Sequence, residues 1–256
     1  MSDTRTSSDK EYVAGLEKGL AIIEAFGLRK GRLTLTEAAE ITGNTRASSR
    51  RSLLTLQRLG YVEWDGKYFT LAPRTLRLGH AYVTSNPLCR LVQPVLEATT
   101  ERTREPSSVA VLDGLESVFV ARAAARRSLS DGLGLGSRLP AWCSATGRVL
   151  LAEQDDEEIE FNLRRGVRRK LTPRTRTELS DLMEILRGTR HQGYAICDEE
   201  LQLGLRSIAV PLRDDDGKAV AAMSLVASSS RMSLDDMVEL LLPELESARR
   251  MLSHLY

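Results

Sequence analysis

The chain has 256 residues, 42% of them hydrophobic, and its 36 basic side chains against 35 acidic ones leave a net charge of +1. Such a length holds two modest domains with cores of their own, and so small a charge excludes whole-molecule attraction to nucleic acid, leaving local basic clusters as the electrostatic route. Cys89, Cys143 and Cys197 stand far apart without C-x-x-C spacing, and His80, His191 and His254 form no ligand pattern with them, which argues against a zinc site or a disulfide framework; no cofactor is expected. Residues 1–10 are too polar for a signal peptide or anchor, and no apolar run approaches the ~18 residues that span a bilayer, so a soluble, cytoplasmic protein is expected.

In chain order, an amphipathic helix from about Glu11 to Phe26 carries Val13, Leu16, Leu20 and Ile23 on one side, the side expected to pack on the next two helices. The first of those opens with Thr34-Leu35-Thr36-Glu37, a capping box in which hydroxyl and carboxylate satisfy orphan backbone N–H groups reciprocally, and Gly43 supplies the left-handed residue that stops it. Asn44 or Thr45 then caps a helix running to Leu59. Ser49, Leu53, Leu56 and Leu59 recur on its buried side, while Arg46, Arg50, Gln57 and Arg58 fall on the other. After Gly60, the segments 61–64 and 67–71 flank Asp65-Gly66, the pair preferred at the centre of a two-residue hairpin.

Two short helices, a tight turn and a hairpin are the layout of a winged helix-turn-helix, whose second helix reads base edges in the DNA major groove with its N-terminal residues. Arginine suits that task because its planar fork grips guanine O6 and N7 together, and small serines allow close approach. The contact set read on this basis is Thr45, Arg46, Ser48, Ser49, Arg50 and Arg51, with Lys67 on the wing and Arg58 reaching phosphate at most.

Pro73 starts a linker helix rather than breaking one, and Asn86-Pro87 reopens a helix to about Thr103 in which Pro94 predicts a kink or break. The periodicity then changes to strands at 107–112 and 116–124 across Asp113-Gly114, and a glycine-rich strand around 133–139. Helices follow at 144–152 and 155–163, and another capped by Thr177 runs to Arg187. Strands return at 194–197, 206–212 and 219–227, and a closing helix is capped by Ser233. Strand pairs alternating with helices define an α+β domain built on an antiparallel sheet. The resulting plan is a DNA-binding domain over 1–72, a linker helix over 73–86 and a sensor-like domain over 87–256.

Several of these segments fall together: the capped helix pair, Leu71-Ala72-Pro73-Arg74 with Leu76-Arg77-Leu78-Gly79, Leu139-Pro140-Ala141 with Cys143-Ser144-Ala145-Thr146-Gly147-Arg148, and Gly193-Tyr194 followed by Glu200, Gly204-Leu205 and Ile208-Ala209. In them the chain resembles the IclR family of bacterial transcriptional regulators over nearly its whole length. Thr45-Arg46-Ala47 with Arg50-Arg51, and the run from Gly204 to Pro211, look most like the β-ketoadipate-pathway regulators of the PcaR, PcaU and PobR type. The resemblance implies a GAF-like effector-binding domain at the C-terminus, assembly as a homodimer or dimer of dimers, double-stranded operator DNA as partner, and a small organic acid as effector. Carried across position by position, it implies an effector pocket of Leu139, Ala145, Thr146, Cys197, Leu205, Ser207 and Ser224. Trp142 and Arg138 border the same loop. Many family members have Ser-Thr-Val where this chain has Ala47-Ser48-Ser49, so the operator preference does not carry over.

The chemistry of that pocket is legible independently. Ser144, Ala145 and Thr146 open a helix, where free N–H groups and the helix dipole favour a carboxylate without any lysine. Two other readings compete. Ser144, His191 and Asp198 make a hydrolase triad on paper, although Ser144 lacks the Gly-x-Ser-x-Gly elbow. Cys143, at a helix start, offers a redox sensor without a resolving partner. Neither displaces the reading of a non-enzymatic, acid-responsive DNA-binding regulator.

Overall fold

The computed structural model describes residues 12–29, 31–125 and 133–253. Cα packing divides the chain into two compact units that meet between Tyr82 and Val83.

In the first unit, α1 (Ala14–Ala25) precedes a three-stranded sheet and two further helices: β1 (Arg32–Leu33), α2 (Leu35–Thr42), α3 (Arg46–Arg58), β2 (Val62–Trp64) and β3 (Phe69–Leu71), with strand order β1-β3-β2. The predicted punctuation is in place. Thr34 and Glu37 form both bonds of the capping box, and Gly43 is left-handed at φ 65°. Thr45 Oγ1 accepts the Ser48 N–H at the start of α3. A core of Ile22, Phe26, Leu33, Ala38, Leu53, Leu56, Val62 and Phe69 joins helices to wing.

Three expectations fail here. α1 buries Ile22 and Ala25, whereas Val13, Leu16 and Leu20 are 65%, 62% and 47% exposed. At 100° per residue the exposed stripe lies roughly opposite the buried one, so α1 packs by its other face. Leu59 is also outside, half exposed just past the end of α3. In the wing, the Asp65 N–H bonds to the Tyr68 carbonyl and Trp64 pairs with Phe69, which places Gly66-Lys67 at the hairpin centre, one residue later than Asp65-Gly66. The Asp65 carboxylate, accepting from the N–H groups of Lys67 and Tyr68, fixes that register.

A 3-10 turn (Pro73–Thr75) leads into α4 (Leu76–Ser85), within which the boundary between units falls. The second unit contains α5 (Pro87–Thr103), β4 (Ser107–Asp113), β5 (Glu116–Ala123), β6 (Arg138–Pro140), α6 (Ala145–Leu151), α7 (Asp156–Arg165), α8 (Leu179–Gln192), β7 (Ala195–Asp198), β8 (Leu205–Arg213), β9 (Ala219–Ser228), α9 (Leu234–Asp236) and α10 (Leu242–Leu252). Its six strands form one antiparallel sheet in the order β6-β5-β4-β9-β8-β7. Alternation along the strands gives the sheet two different faces. Val109, Ile208, Val210, Met223 and Leu225 enter a large apolar core with α5 and α10. Ala195, Ala209 and Ala222 point the other way, and their small side chains let α6 lie against the sheet.

Local departures have local causes. α5 runs unbroken through Pro94, held on either side by fully buried Val92 and Leu96. Among the described residues of the glycine-rich segment only Arg138–Pro140 is strand, because 133–137 turns at Gly136, φ 78°. Thr177 does not cap α8; Glu178 occupies that position without a side-chain bond, and the Thr177 carbonyl accepts from Arg168. The closing helix is interrupted by a π turn at Met237–Leu241 just before Pro243.

Candidate functional site

Two sites emerge, one in each unit. On α3 the outward side carries Arg46, Ala47, Arg50, Arg51 and Arg58, all exposed. None of these arginines has an ion-pair partner among the described residues. Thr45 is exposed beside them, with its hydroxyl committed to the cap. Ser48 and Ser49 do not belong to this surface: they are 9% and 0% exposed, on the stripe that also buries Leu53 and Leu56. Wheel geometry puts residues 48, 49, 53 and 56 on one side, which the spacing of Ser49 with the leucines already signalled. Trp64 stacks on Phe69 with ring centroids 5.6 Å apart, and Lys67 lies 5.0 Å from the Tyr68 ring. Arg32, absent from the sequence reading, covers the same ring at 4.5 Å. A two-residue strand has no periodicity that would have revealed it.

In the second unit a cavity of about 450 Å³ opens between the sheet and the start of α6. Eight of the sequence-designated positions line it: Leu139, Ser144, Ala145, Thr146, Cys197, Leu205, Ser207 and Ser224. Trp142 does not; its indole is buried among Ala141, Leu151, Ile159 and Leu163, because the 3-10 turn Ala141–Cys143 turns it toward α7 and α8. Sheet register adds residues that motif spacing missed. Ser108 pairs across the sheet with both Arg122 and Ser224, and all three line the cavity, as does Phe119.

The polar groups of the roof are partly committed. Ser144 Oγ accepts the Gly147 N–H, and Thr146 Oγ1 shares a 2.7 Å hydrogen bond with buried Ser117. The first-turn N–H groups of Ala145 and Thr146 have no intrahelical acceptor. Behind them, Arg148 is held bidentately by Glu200 at 2.6 and 2.7 Å and donates to the Trp142 carbonyl at 3.0 Å, while Glu200 also accepts the Arg176 N–H. This nearly dry ion pair ties the start of α6 to the turn after β7 and to the 172–176 loop.

That environment disposes of the competing chemistries. Burial pushes the Cys143 thiol far above its ordinary value, and Cys197 is pushed up to about 12 by the same cause, so neither presents a thiolate. Ser144 is committed to its cap, Asp198 to Arg206 and Arg174, and His191 sits exposed at the end of α8.

An exposed arginine-lined recognition helix with a wing, joined to a domain with a small-molecule cavity, defines a ligand-responsive DNA-binding regulator. Residues 15–66 match the IclR helix-turn-helix domain and residues 80–254 the C-terminal domain of bacterial IclR transcriptional regulators. The chain therefore belongs to the IclR family, whose members are transcriptional regulators rather than enzymes. It is 38% identical, over 97% of its length and 86% of the relative's, to the Pca regulon regulatory protein of Pseudomonas putida. A transcriptional regulator from Rhodococcus sp. RHA1 superposes with TM-score 0.81 at 40% identity, covering 95% of this chain and 98% of that one. The inducer-binding domain of a PobR double mutant from Acinetobacter, in complex with 3-hydroxybenzoic acid, matches 65% of this chain and 98% of its own with TM-score 0.62 and 31% identity. No described helix is long and apolar enough to cross a membrane.

Proposed function

We propose that this regulator binds operator DNA through Arg46, Arg50 and Arg51 of α3, Arg32 of β1 and Lys67 of the wing, and senses a small carboxylic acid of aromatic catabolism in the second-unit cavity. The observation that carries the effector reading is the cavity itself: apolar Leu139, Phe119 and Leu205 beside hydroxyls of Ser108, Ser207 and Ser224, with first-turn main-chain N–H groups at Ala145 and Thr146 that have no intrahelical acceptor. A volume of about 450 Å³ accommodates one substituted ring or a short acyl chain. The resemblance to β-ketoadipate-pathway regulators supplies protocatechuate, 4-hydroxybenzoate and β-ketoadipate as chemical candidates, and the PobR complex adds 3-hydroxybenzoate. Calorimetry of the full chain against that panel tests the reading. Heat from at least one acid, abolished by Ser207→Phe with DNA binding intact, is expected; no heat from any acid removes it.

The domain plan that accompanies this reading assigns residues 1–72 to DNA, 73–86 to the connection and 87–256 to the effector, working in the cytoplasm where the DNA is. Self-association belongs to it as well. Val13, Leu16 and Leu20, with Tyr12 at 59% exposure, leave one side of α1 apolar and uncovered, which suits a second copy of the chain. Two recognition helices then read two half-sites, since one contacts too few base pairs for genomic specificity.

A further inference from the structure

Helix α7 carries an outward stripe that its own fold does not use. Ile159 and Leu163 point into the core with Trp142 and Leu182. Positions four apart drift by about 40° around a helix, so Glu157, Phe161 and Arg165 form one continuous row on the opposite side. Phe161 is 57% exposed, an aromatic ring in solvent in the middle of the helix. The Arg165 guanidinium lies 5.0 Å from that ring. Glu157 and Arg165 are exposed and have no ion-pair partner among the described residues, unlike Glu160 and Arg164, which pair with each other. The helix is thus acidic in its first turn and basic in its last.

Such a row is complementary to its own reversal. Glu157 and Arg165 each lie about 6 Å along the axis from Phe161, so a second α7 laid antiparallel about an axis through Phe161 places each glutamate opposite an arginine and ring against ring. A surface for an unrelated acidic or basic partner would have no reason to be balanced about one residue. We propose that α7 pairs with α7 of a second copy of this chain, antiparallel about Phe161, through two Glu157–Arg165 contacts. One short helix buries too little area to hold two free monomers. The pairing therefore joins dimers already formed elsewhere, and to that extent rests on self-association through α1.

Light scattering on the full chain at low salt tests it, with Glu157→Arg, Arg165→Glu, their equimolar mixture and the double reversal. The parent is expected to be a dimer of dimers, each single reversal a dimer of half that mass. In the mixture both cross-contacts become Arg against Glu, as they do in the double reversal, so both samples should recover the parent mass. Single reversals that keep the parent mass, or a mixture that does not recover it, overturn the α7 pairing. A dimeric parent that Leu16→Asp splits but the α7 reversals leave alone removes only this inference, while a monomeric parent removes the α1 reading as well.

Discussion

Ser49 has a hydroxyl that is fully buried in the helix-turn-helix core without a hydrogen-bond partner among the described residues. An unsatisfied buried hydroxyl costs roughly 1–3 kcal/mol, so Ser49→Ala should raise stability to denaturant or at worst leave it unchanged, with operator affinity intact. A loss of operator binding in that variant would return Ser49 to the DNA surface. Arg50 is the opposite case, exposed and uncommitted at the start of α3. Arg50→Ala should weaken operator binding by about 1–3 kcal/mol and flatten discrimination against random DNA in a titration. Glu200, 7% exposed, matters through its partner. Glu200→Leu leaves the Arg148 guanidinium buried and unpaired, at an expected cost of about 3–5 kcal/mol in a urea melt, whereas removing both charges with Arg148→Met should recover much of it.

At the scale of elements, α2 and α6 show how caps set their surroundings. Hydrogen bonds from the Thr34 backbone N–H and hydroxyl hold the Glu37 carboxyl below the usual glutamate range. A depressed acid contributes stability that is present above its unfolded pKa and lost as pH falls through the folded value. Stability should therefore decline below pH ~4.3 with a component that Glu37→Gln abolishes, checked by melts across that range. α6 depends instead on closeness. A Cβ on Gly147 would collide with the Cα and carbonyl of Ala141, so Gly147→Ala should push α6 off the 141–143 turn and abolish ligand heat along with stability. The capping box and the serine cap of α6 were both legible, because capping chemistry is local. Which side of α1 is buried was not, because α1 offers apolar residues on both sides and only the positions of α2 and α3 choose between them.

For the molecule as a whole, an acid in the cavity alters transcription only by preferring one of two conformations of the protein, since equal affinity for both shifts nothing. The electrostatics divide in the same way. With net charge +1, the proposed operator binding relies on local arginines, and each lost phosphate contact should lower the salt slope by about one unit. Operator binding measured from 50 to 200 mM salt should show a smaller slope for Arg58→Ala with unchanged sequence discrimination, and the reverse pattern would exchange its role with that of Arg50.

The sequence by itself determined the punctuation and the two architectures: Thr34, Gly43, Thr45, Ser144 and Ser233 mark helix ends through bonds made within a few residues, and period-2 segments after Ser107 specify the sheet. It also brought eight of the cavity positions into view through motifs around Ser144 and Gly204. Tertiary structure alone decided the rest. Ser48 and Ser49 face inward because α1 and α2 cover that side of α3, and Trp142 leaves the cavity because α7 and α8 offer it an apolar bed. Ser108 and Arg122 enter the cavity because strand register, a relation between residues distant in sequence, aligns them with Ser224, and Phe119 joins them across a register shift in β4. Local bonds are written in neighbouring letters; burial and register are settled only when separate elements compete for the same space.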